Sequence, residues 1–297
     1  MTPQPPSEPK TESLRWFGLT DRGKVRANNE DSFLCLQFDA REVRYLGRIG
    51  EAPTGTEDFI FAVSDGMGGA KAGEFASRLA VEKITRLMPR AFQHSATGLA
   101  AGFEDVLTEL YHEINRSLTY LGNSDADCSG MGATLSMCWF TPGWMYFGHI
   151  GDSRIYYLPA QGGGIRQITQ DDTHVGWLYR NGKLNERQAR DHPRRNALQK
   201  ALGAGHQFVD PQVGAVAYEP GDTFLLCTDG LIDGLYDAQL LEMVRAPQTD
   251  AESNPAQRLV RAAVALAGRD NTTALLVEVC PTPCTPGLLH FDRPLLS

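Results

Sequence analysis

In FIFAVSDGMGG, residues 59–69, an apolar run ends in an aspartate and a glycine. Five consecutive apolar residues, rich in Phe, Ile and Val, predict a buried strand over 59–63. The glycine after Asp65 allows the backbone to turn sharply where the strand stops. The pattern therefore predicts a strand that presents a carboxylate at the rim of a sheet.

Two other apolar runs end in the same way. Residues 224–228 lead into Asp229-Gly230, and residues 145–151 lead into Asp152. One such aspartate is most often a turn residue or a helix cap. Three of them at adjacent strand ends would repel one another unless a cation lay between them. Oxygen ligands without histidine or cysteine select Mg²⁺ or Mn²⁺, so the pattern indicates a site for one of these ions.

The remaining periodicity predicts a sheet protein covered by helices. Apolar runs predict strands at 33–38, 59–63, 133–140, 144–150, 155–158, 223–227 and 273–279. Apolar residues at helical spacing predict helices over Ala72–Leu87, Leu99–Leu121 and Pro255–Ala267. Strands joined by turns, with helices gathered in pairs, favour antiparallel sheets over a βαβ ladder.

Composition limits the class of protein. The 297 residues carry 28 Lys and Arg against 36 Asp and Glu, a formal charge of -8, and 42% are hydrophobic. This balance is typical of a globular chain and argues against a nucleic-acid-binding surface. No stretch approaches the roughly 20 apolar residues of a membrane span, and the amino terminus has no signal-peptide pattern. Six scattered cysteines without a CxxC pair indicate reduced thiols, so we expect a cytoplasmic protein.

We expect one folded domain at residues 14–280. Residues 1–13 are proline-rich and polar, which is typical of a disordered tail. Residues 281–297 carry four prolines and predict an irregular extension. The Ala40–Glu57 insertion is rich in charge and glycine, and it either shapes substrate choice or forms an idle hairpin.

Two polar segments add candidates to the three aspartates. Asp270 stands in GRDN just before the last predicted strand, and RANNED, residues 26–31, precedes the strand at 33–38. The planar guanidinium of Arg26 can clamp a phosphate bidentately beside a carboxylate–metal cluster. Together these features are typical of a two-metal phosphoryl hydrolase.

Two other signatures lack the residues that their chemistry needs. GLTDRGKV, residues 18–25, has valine where a P-loop requires a hydroxyl residue. Cys35 and Arg41 have the spacing of a cysteine phosphatase, but the residues between them read as strand and contain no glycine. We therefore interpret both as coincidences.

The motifs in chain order resemble those of the metal-dependent serine/threonine protein phosphatases of the protein phosphatase 2C type, in their bacterial form. The resemblance runs from about residue 15 to residue 279. Its motifs are TDRG (20–23) with RANNED (26–31), DGMGG (65–69), GMGATL (130–135), GDSR (151–154), ITQDDT (168–173), HPRRN (192–196), CTDG (227–230) and GRDNTT (268–273).

The resemblance implies an α+β fold, namely a β-sandwich of two antiparallel sheets flanked by helix pairs in four αββα layers. It implies a metal site in which Asp65 bridges two ions and the Gly66 carbonyl binds one of them. Asp229 and Asp270 complete the other. In bacterial members, Asp152 and Asp229 are associated with a third, more weakly bound metal.

The same resemblance implies the reaction. Glu30 and Asp31 are catalytic residues that act through bound waters, and Arg26 holds the substrate phosphate. Two tightly bound Mn²⁺ or Mg²⁺ ions lower the pKa of a bridging water, and the resulting hydroxide attacks phosphorus in line. The implied substrates are phosphoserine and phosphothreonine in proteins, with a bacterial serine/threonine kinase as the opposing enzyme. We expect a monomer without a nucleic-acid partner.

One departure and two alternatives accompany this interpretation. Animal members have a histidine after the DG motif, often assigned as general acid, whereas this chain has Met67. The proton donor is then a metal-bound water or His174, a residue of the flap implied at about 170–205, where Asn196 falls near the third metal. The alternatives are a pseudophosphatase that serves as a regulatory binding module, and a switch phosphatase for one regulatory protein.

Overall fold

Two antiparallel β-sheets lie at the centre of the fold. The computed structural model describes residues 12–39, 41–55, 57–96, 102–205, 208–247 and 254–281. The strands are β1 (Ser13–Asp21), β2 (Asp31–Phe38), β3 (Val43–Tyr45), β4 (Ile49–Pro53), β5 (Asp58–Met67), β6 (Gly132–Ala133), β7 (Leu135–Thr141), β8 (Trp144–Ile150), β9 (Arg154–Leu158), β10 (Arg166–Gln167), β11 (Leu202–Gly203), β12 (Gln212–Ala217), β13 (Thr223–Cys227) and β14 (Thr272–Cys280). The helices are α1 (Ala70–Ala96), α2 (Phe103–Ser124), α3 (His174–Arg180), α4 (Glu186–Arg190), α5 (Asp229–Gly234), α6 (Asp237–Arg245) and α7 (Pro255–Leu266).

The strand order keeps the two sheets separate. The first sheet runs β10-β9-β13-β14-β1-β4. The second runs β3-β2-β5-β7-β8-β12, with β6 also paired to β5 and β11 paired to β6. β1 and β14 pair along their whole lengths, from Ser13 opposite Cys280 to Asp21 opposite Thr272. This pairing joins the two ends of the described chain in the middle of one sheet.

Three apolar layers hold the sheets and helices together. Aromatic residues fill the space between the sheets, where Phe61 lies edge-on to Phe140 with ring centroids 5.7 Å apart. α1 and α2 pack on the second sheet, and α5, α6 and α7 pack on the first. A fully buried phenylalanine contributes about 1.5–3 kcal/mol to the free energy of unfolding. The predicted four-layer α+β sandwich is confirmed.

Most predicted elements are present, with boundaries that tertiary contacts move. The helix predicted over Ala72–Leu87 extends over Ala70–Ala96. The helix predicted from Leu99 begins at Phe103, and residues 97–101 lie outside the described part of the chain. Strands β1, β3, β4, β10, β11 and β12 and the short helices α3–α6 were not predicted. Most are too short or too polar to show a period, whereas β1 contains Leu14, Trp16 and Phe17, an apolar signal that the sequence analysis overlooked.

The prediction that β5 stops before Asp65 is wrong. β5 continues to Met67 because Asp65 pairs with Asp31 on β2, while Gly66 and Met67 pair with β6. The strand predicted over 133–140 is in turn interrupted at Thr134. Asp65 therefore lies inside a paired strand, where its backbone is held on both sides.

The start of β1 and the described part of the Ala40–Glu57 insertion lie away from these aspartates. Ser13, which the sequence placed in a tail, is fully buried in β1, whereas residues 1–11 and 282–297 lie outside the described residues. In the Ala40–Glu57 insertion, β3 pairs with β2 at Leu36–Phe38 and β4 pairs with β1 at Ser13–Phe17. These are the ends of β1 and β2 remote from Asp31. The placement gives no support to a role in substrate choice.

The cysteines show no sign of a nucleophile. Cys35 is buried in β2 opposite Phe61, and burial raises the pKa of its thiol. A cysteine phosphatase needs the opposite shift. The cysteines of the described ranges, at 35, 128, 138, 227 and 280, are all free. Among the same ranges, no helix combines the length and the apolar character that a bilayer crossing requires.

Asp58 is a buried acid at the end of β5 remote from Asp65. Its side chain accepts a hydrogen bond from the Trp139 indole at 2.9 Å, and the residue is 8% exposed. Burial raises its pKa from 3.8 to about 6, while the bond from Trp139 opposes the shift. The folded protein thus favours the protonated carboxyl. The contribution of Asp58 to the free energy of unfolding is therefore most favourable below pH 3.8 and falls as the pH rises to about 6.

We predict that Asp58→Asn raises the free energy of unfolding at pH 8 by up to about 3 kcal/mol, the full value of a two-unit pKa shift, with little change at pH 4. Asparagine keeps an acceptor for Trp139 and has no charge to desolvate. Urea titrations at both pH values measure the effect, with Asp210→Asn as control because the Asp210 side chain is 94% exposed. A less stable variant at pH 8 would mean that the ionised Asp58 favours folding.

Candidate active site

Strand ends from both sheets bring five aspartates to one end of the sandwich. β2 begins at Asp31, which lies directly opposite Asp65 of β5 in the second sheet. Asp152 follows β8 of that sheet, Asp229 follows β13 of the first sheet, and Asp270 precedes β14. Four of them are the metal-ligand aspartates predicted from the sequence, and the fifth, Asp31, was predicted as a catalytic residue that acts through bound waters. We call them the acid cluster.

Asp65 is the member of the acid cluster whose pKa is raised by the charges of all four others. Burial and then the charges of Asp31, Asp229, Asp152 and Asp270 raise its pKa well above the ordinary range. Burial raises the pKa of Asp31, Asp152 and Asp229 as well, and Asp152 and Asp270 add to the shift at Asp229. Acids that resist ionisation because of one another need a compensating positive charge.

Two buried oxygens of the cluster have no hydrogen-bond partner. Asp31 accepts bonds from the Thr228 and Thr273 hydroxyls, at 2.8 and 2.6 Å, through its Oδ2 atom. Its Oδ1 atom is buried and unpaired, and the same holds for Oδ1 of Asp229. An unpaired buried carboxylate oxygen is costly, and a cation satisfies it as well as a donor does.

The donor set fits Mg²⁺ or Mn²⁺. All five side chains offer oxygen, and these ions prefer oxygen ligands. In the described ranges, no three Asp, Glu, His or Cys side chains close around a single point as a preformed cage.

Gly66 lies where β5 runs against the start of α1. A Cβ atom on Gly66 would stand 1.9 Å from the Gly73 carbonyl oxygen, so no larger residue fits. A Cβ atom on Gly73 would in turn meet the Glu30 carboxylate at 2.6 Å. The glycines of the DGMGG motif and of α1 thus allow strand, helix and Glu30 to meet beside Asp65.

Arg26 lies within reach of the cluster but is paired with one of its members. Its guanidinium donates to Oδ2 of Asp270 at 2.7 Å, and its side chain is 48% exposed. The sequence analysis predicted that Arg26 binds the substrate phosphate and that Asp270 binds a metal. In the structure the two side chains form an ion pair with each other. Arg26 therefore offers a positive charge at the mouth of the cleft.

The loop that carries Arg26 and Glu30 is anchored by Asn271, which the sequence analysis overlooked. Its Oδ1 atom accepts from the Glu30 amide at 2.8 Å, and its Nδ2 atom donates to the carbonyls of Arg22 and Asn28 at 3.0 and 2.9 Å. The position of Asn271 in GRDNTT, next to Asp270, was the available signal.

A cavity of about 70 Å³ opens beside Asp152 and Asp229, between the flap segment (170–205) and α5. Asn196, which the resemblance places near the third metal, lines this cavity. Arg154 also lines this cavity, and its guanidinium donates two hydrogen bonds to the Asp171 carboxylate, of 2.9 and 2.7 Å. The guanidinium of Arg154 bonds to Asp171 and to the Tyr156 hydroxyl and not to the neighbouring Asp152.

Arg195 and Asp233 are further cavity residues that the sequence did not single out. They form a two-bond ion pair of 3.2 and 2.7 Å across the cavity wall. Asp233 stands four residues after Asp229 on α5, so helical spacing was the signal that could have found it. His174, the suggested proton donor, is exposed on α3 and stacks on Trp177 at 6.1 Å.

Comparisons with known proteins identify the family of this chain. The family profile described as Protein phosphatase 2C matches residues 52–264. The serine/threonine phosphatase stp of Listeria innocua serovar 6a is 34% identical over 261 residues, which cover 87% of this chain and 93% of that protein. The serine/threonine protein phosphatase PstP of Mycobacterium tuberculosis is 35% identical over 269 residues, which cover 90% of this chain and 45% of that protein.

A solved structure matches the whole fold. The catalytic domain of serine threonine protein phosphatase PstP, crystallised in complex with two manganese ions, superposes with a TM-score of 0.69 and 31% identity. The match covers 91% of this chain and 100% of that domain. The chain therefore belongs to the protein phosphatase 2C family, as a metal-dependent protein serine/threonine phosphatase of the bacterial kind.

Proposed function

We propose that this chain is an active phosphatase that hydrolyses phosphoserine and phosphothreonine in proteins with the help of Mg²⁺ or Mn²⁺. The observation that carries the proposal is the repulsion that four neighbouring acids exert on Asp65. The buried unpaired oxygens of Asp31 and Asp229 support it. A cluster of this kind destabilises the folded chain unless cations are bound, which is the property of a metal site.

The proposed ligands follow from these positions. The charge of every other member acts on Asp65, which would therefore hold metal ions together with the Gly66 carbonyl, Asp229 and Asp270. Asp152, together with Asp229, serves a third and weaker ion beside the cavity. Bound ions of this kind supply positive charge for the phosphate oxygens and lower the pKa of water to near neutrality.

The chain's own residues orient the substrate and the waters. Arg26 exchanges its partner Asp270 for two phosphate oxygens, because a half-exposed guanidinium at the mouth of the cleft can form a bidentate pair with either. Glu30 and Asp31 accept hydrogen bonds from waters. The Thr228 and Thr273 hydroxyls fix the direction in which the free oxygen of Asp31 is presented.

The cellular setting is a further part of the proposal. The phosphate esters that such an enzyme removes are made by serine/threonine kinases, so we infer that it opposes a bacterial kinase. One chain supplies all five aspartates, which supports a monomer. The free cysteines of the described ranges are typical of the cytoplasm.

The pseudophosphatase alternative has one observation in its favour. The 2.7 Å bond between Arg26 and Asp270 joins the proposed phosphate clamp to a proposed metal ligand. A chain in which this pair never opened would bind phosphoproteins without hydrolysing them. Turnover of a phosphothreonine peptide decides between the two.

We predict that hydrolysis of a phosphothreonine peptide stops after treatment with EDTA and returns on addition of Mn²⁺ or Mg²⁺. The physical reason is that the cluster offers only oxygen ligands, and without cations its aspartates repel the phosphate. Phosphate release is measured across a titration of each metal, which also ranks the two ions. Full activity after exhaustive chelation would contradict the two-metal site.

We predict that Asp65→Asn lowers kcat by about 100- to 1,000-fold, the usual effect of losing a central electrostatic group. The same change raises Tm of the metal-free protein at pH 7.5, because it removes the acid whose pKa is raised by all its neighbours. Peptide kinetics and calorimetry in EDTA measure the two effects. Near-normal turnover would place the reaction centre elsewhere.

We predict that Asp152→Asn keeps two tightly bound metal ions and loses much of its rate on phosphopeptides. Its Tm does not fall, since no ion pair is broken. Asp171→Asn is the matched control, because it breaks the buried pair with Arg154 and should cost about 3–5 kcal/mol. Titration calorimetry counts the ions. Unchanged kinetics with a lower Tm would make Asp152 a structural residue.

A further inference from the structure

A layer of buried hydroxyl groups separates the acid cluster from the apolar core. Ser64 and Ser153 are fully buried, and Thr134 is 1% exposed. Ser64 directly precedes Asp65, and Ser153 directly follows Asp152. Thr134 stands in the break between β6 and β7, facing both segments. Buried hydroxyls are retained where they satisfy other polar groups, so the bonds of Thr134 indicate its role.

The backbone hydrogen bonding between β5 and the β6–β7 segment changes at Asp65. The pairs Val63–Ser136 and Gly66–Ala133 share one register, which places Thr134 opposite Asp65. Hydrogen-bonded partners in an antiparallel ladder exchange two backbone bonds. The Thr134 amide does donate to the Asp65 carbonyl at 2.8 Å.

The second bond of this pair runs to a side chain. The Asp65 amide donates to the Thr134 hydroxyl at 2.9 Å. The Thr134 carbonyl instead accepts from the Ser64 hydroxyl at 2.6 Å. The hydroxyl of Thr134 thus takes the place of a backbone acceptor at the residue on which the proposed metal site is centred.

The same hydroxyl contacts the segment that carries Asp152. Oγ1 of Thr134 lies 2.6 Å from Oγ of Ser153. Gly151, with a φ of +110°, packs so closely that a Cβ atom there would stand 2.6 Å from the Thr134 side chain. One side chain therefore fixes the backbone of Asp65 and the turn before Asp152 at once.

We propose that Thr134 is a positioning residue of the metal centre, whose hydroxyl sets the placement of Asp65 and couples it to Asp152. This inference rests on the proposed function, since it takes both aspartates as metal ligands. Valine has nearly the shape of threonine but no hydroxyl, so Thr134→Val leaves the Asp65 amide without an acceptor. Thr134→Ser keeps the hydroxyl and loses only a methyl group.

The test compares Thr134→Val, Thr134→Ser and Ser153→Ala with the unaltered protein. Mn²⁺ affinity of the metal-stripped proteins is measured by titration calorimetry, next to Tm and to kcat and KM on a phosphothreonine peptide. We expect Thr134→Val to weaken Mn²⁺ affinity and lower kcat by about 10- to 100-fold, the usual effect of removing a partner of a metal ligand. KM stays within about threefold, and Thr134→Ser restores both quantities.

Ser153→Ala separates the two contacts. It keeps the bond to the Asp65 amide, so the two tight ions remain bound while kcat falls by about tenfold through Asp152. If Thr134→Val fails to fold, Ser153→Ala decides the proposal. Unchanged peptide kinetics in Ser153→Ala would then overturn it. A folded Thr134→Val with a lower Tm but unaltered Mn²⁺ affinity and kcat would also overturn it. If the unaltered protein binds no Mn²⁺, the proposed function fails instead.

Discussion

Repulsion among carboxylates in one cleft is the constraint to which the rest of this structure responds. The charges of four neighbours and burial hold the pKa of Asp65 well above its ordinary range. Compensation comes from three sources of different strength: hydroxyl bonds to Asp31, a guanidinium on Asp270, and the cations that the oxygen-only ligand set would bind. Only the last is strong enough to let the four acids with raised pKa values, Asp31, Asp65, Asp152 and Asp229, ionise together.

The sandwich supplies the rigidity that such a cluster needs. Asp31 and Asp65 face each other within one sheet, while Asp229 and Asp270 come from the other. The aromatic layer between the sheets keeps the two sets at a constant separation, because a close-packed core deforms little. Gly66 completes the arrangement by letting α1 approach the strand end.

Polar residues behind the cluster connect it to its surroundings. Asn271 anchors the loop that carries Arg26, and Thr134 joins the segments of Asp65 and Asp152. The ion pairs Arg154–Asp171 and Arg195–Asp233 line the adjoining cavity. These contacts convert a group of repelling side chains into a site with defined geometry.

Four features can be predicted from the sequence alone: the strands with long apolar runs, the aspartates at their ends, a metal-ligand set made only of oxygen atoms, and the family. These features are local, since apolar periodicity and Asp-Gly endings can be recognised within ten residues. Three other features depend on tertiary contacts. Asp65 lies inside β5, β1 pairs with β14, and Arg26 contacts Asp270. Such contacts join residues that are distant in sequence, as Arg26 and Asp270 are at 244 positions apart, and their partners depend on how the whole sandwich packs. The short helices of the flap segment, α3 and α4, escaped prediction for a different reason, because seven and five residues are too few to show an apolar period.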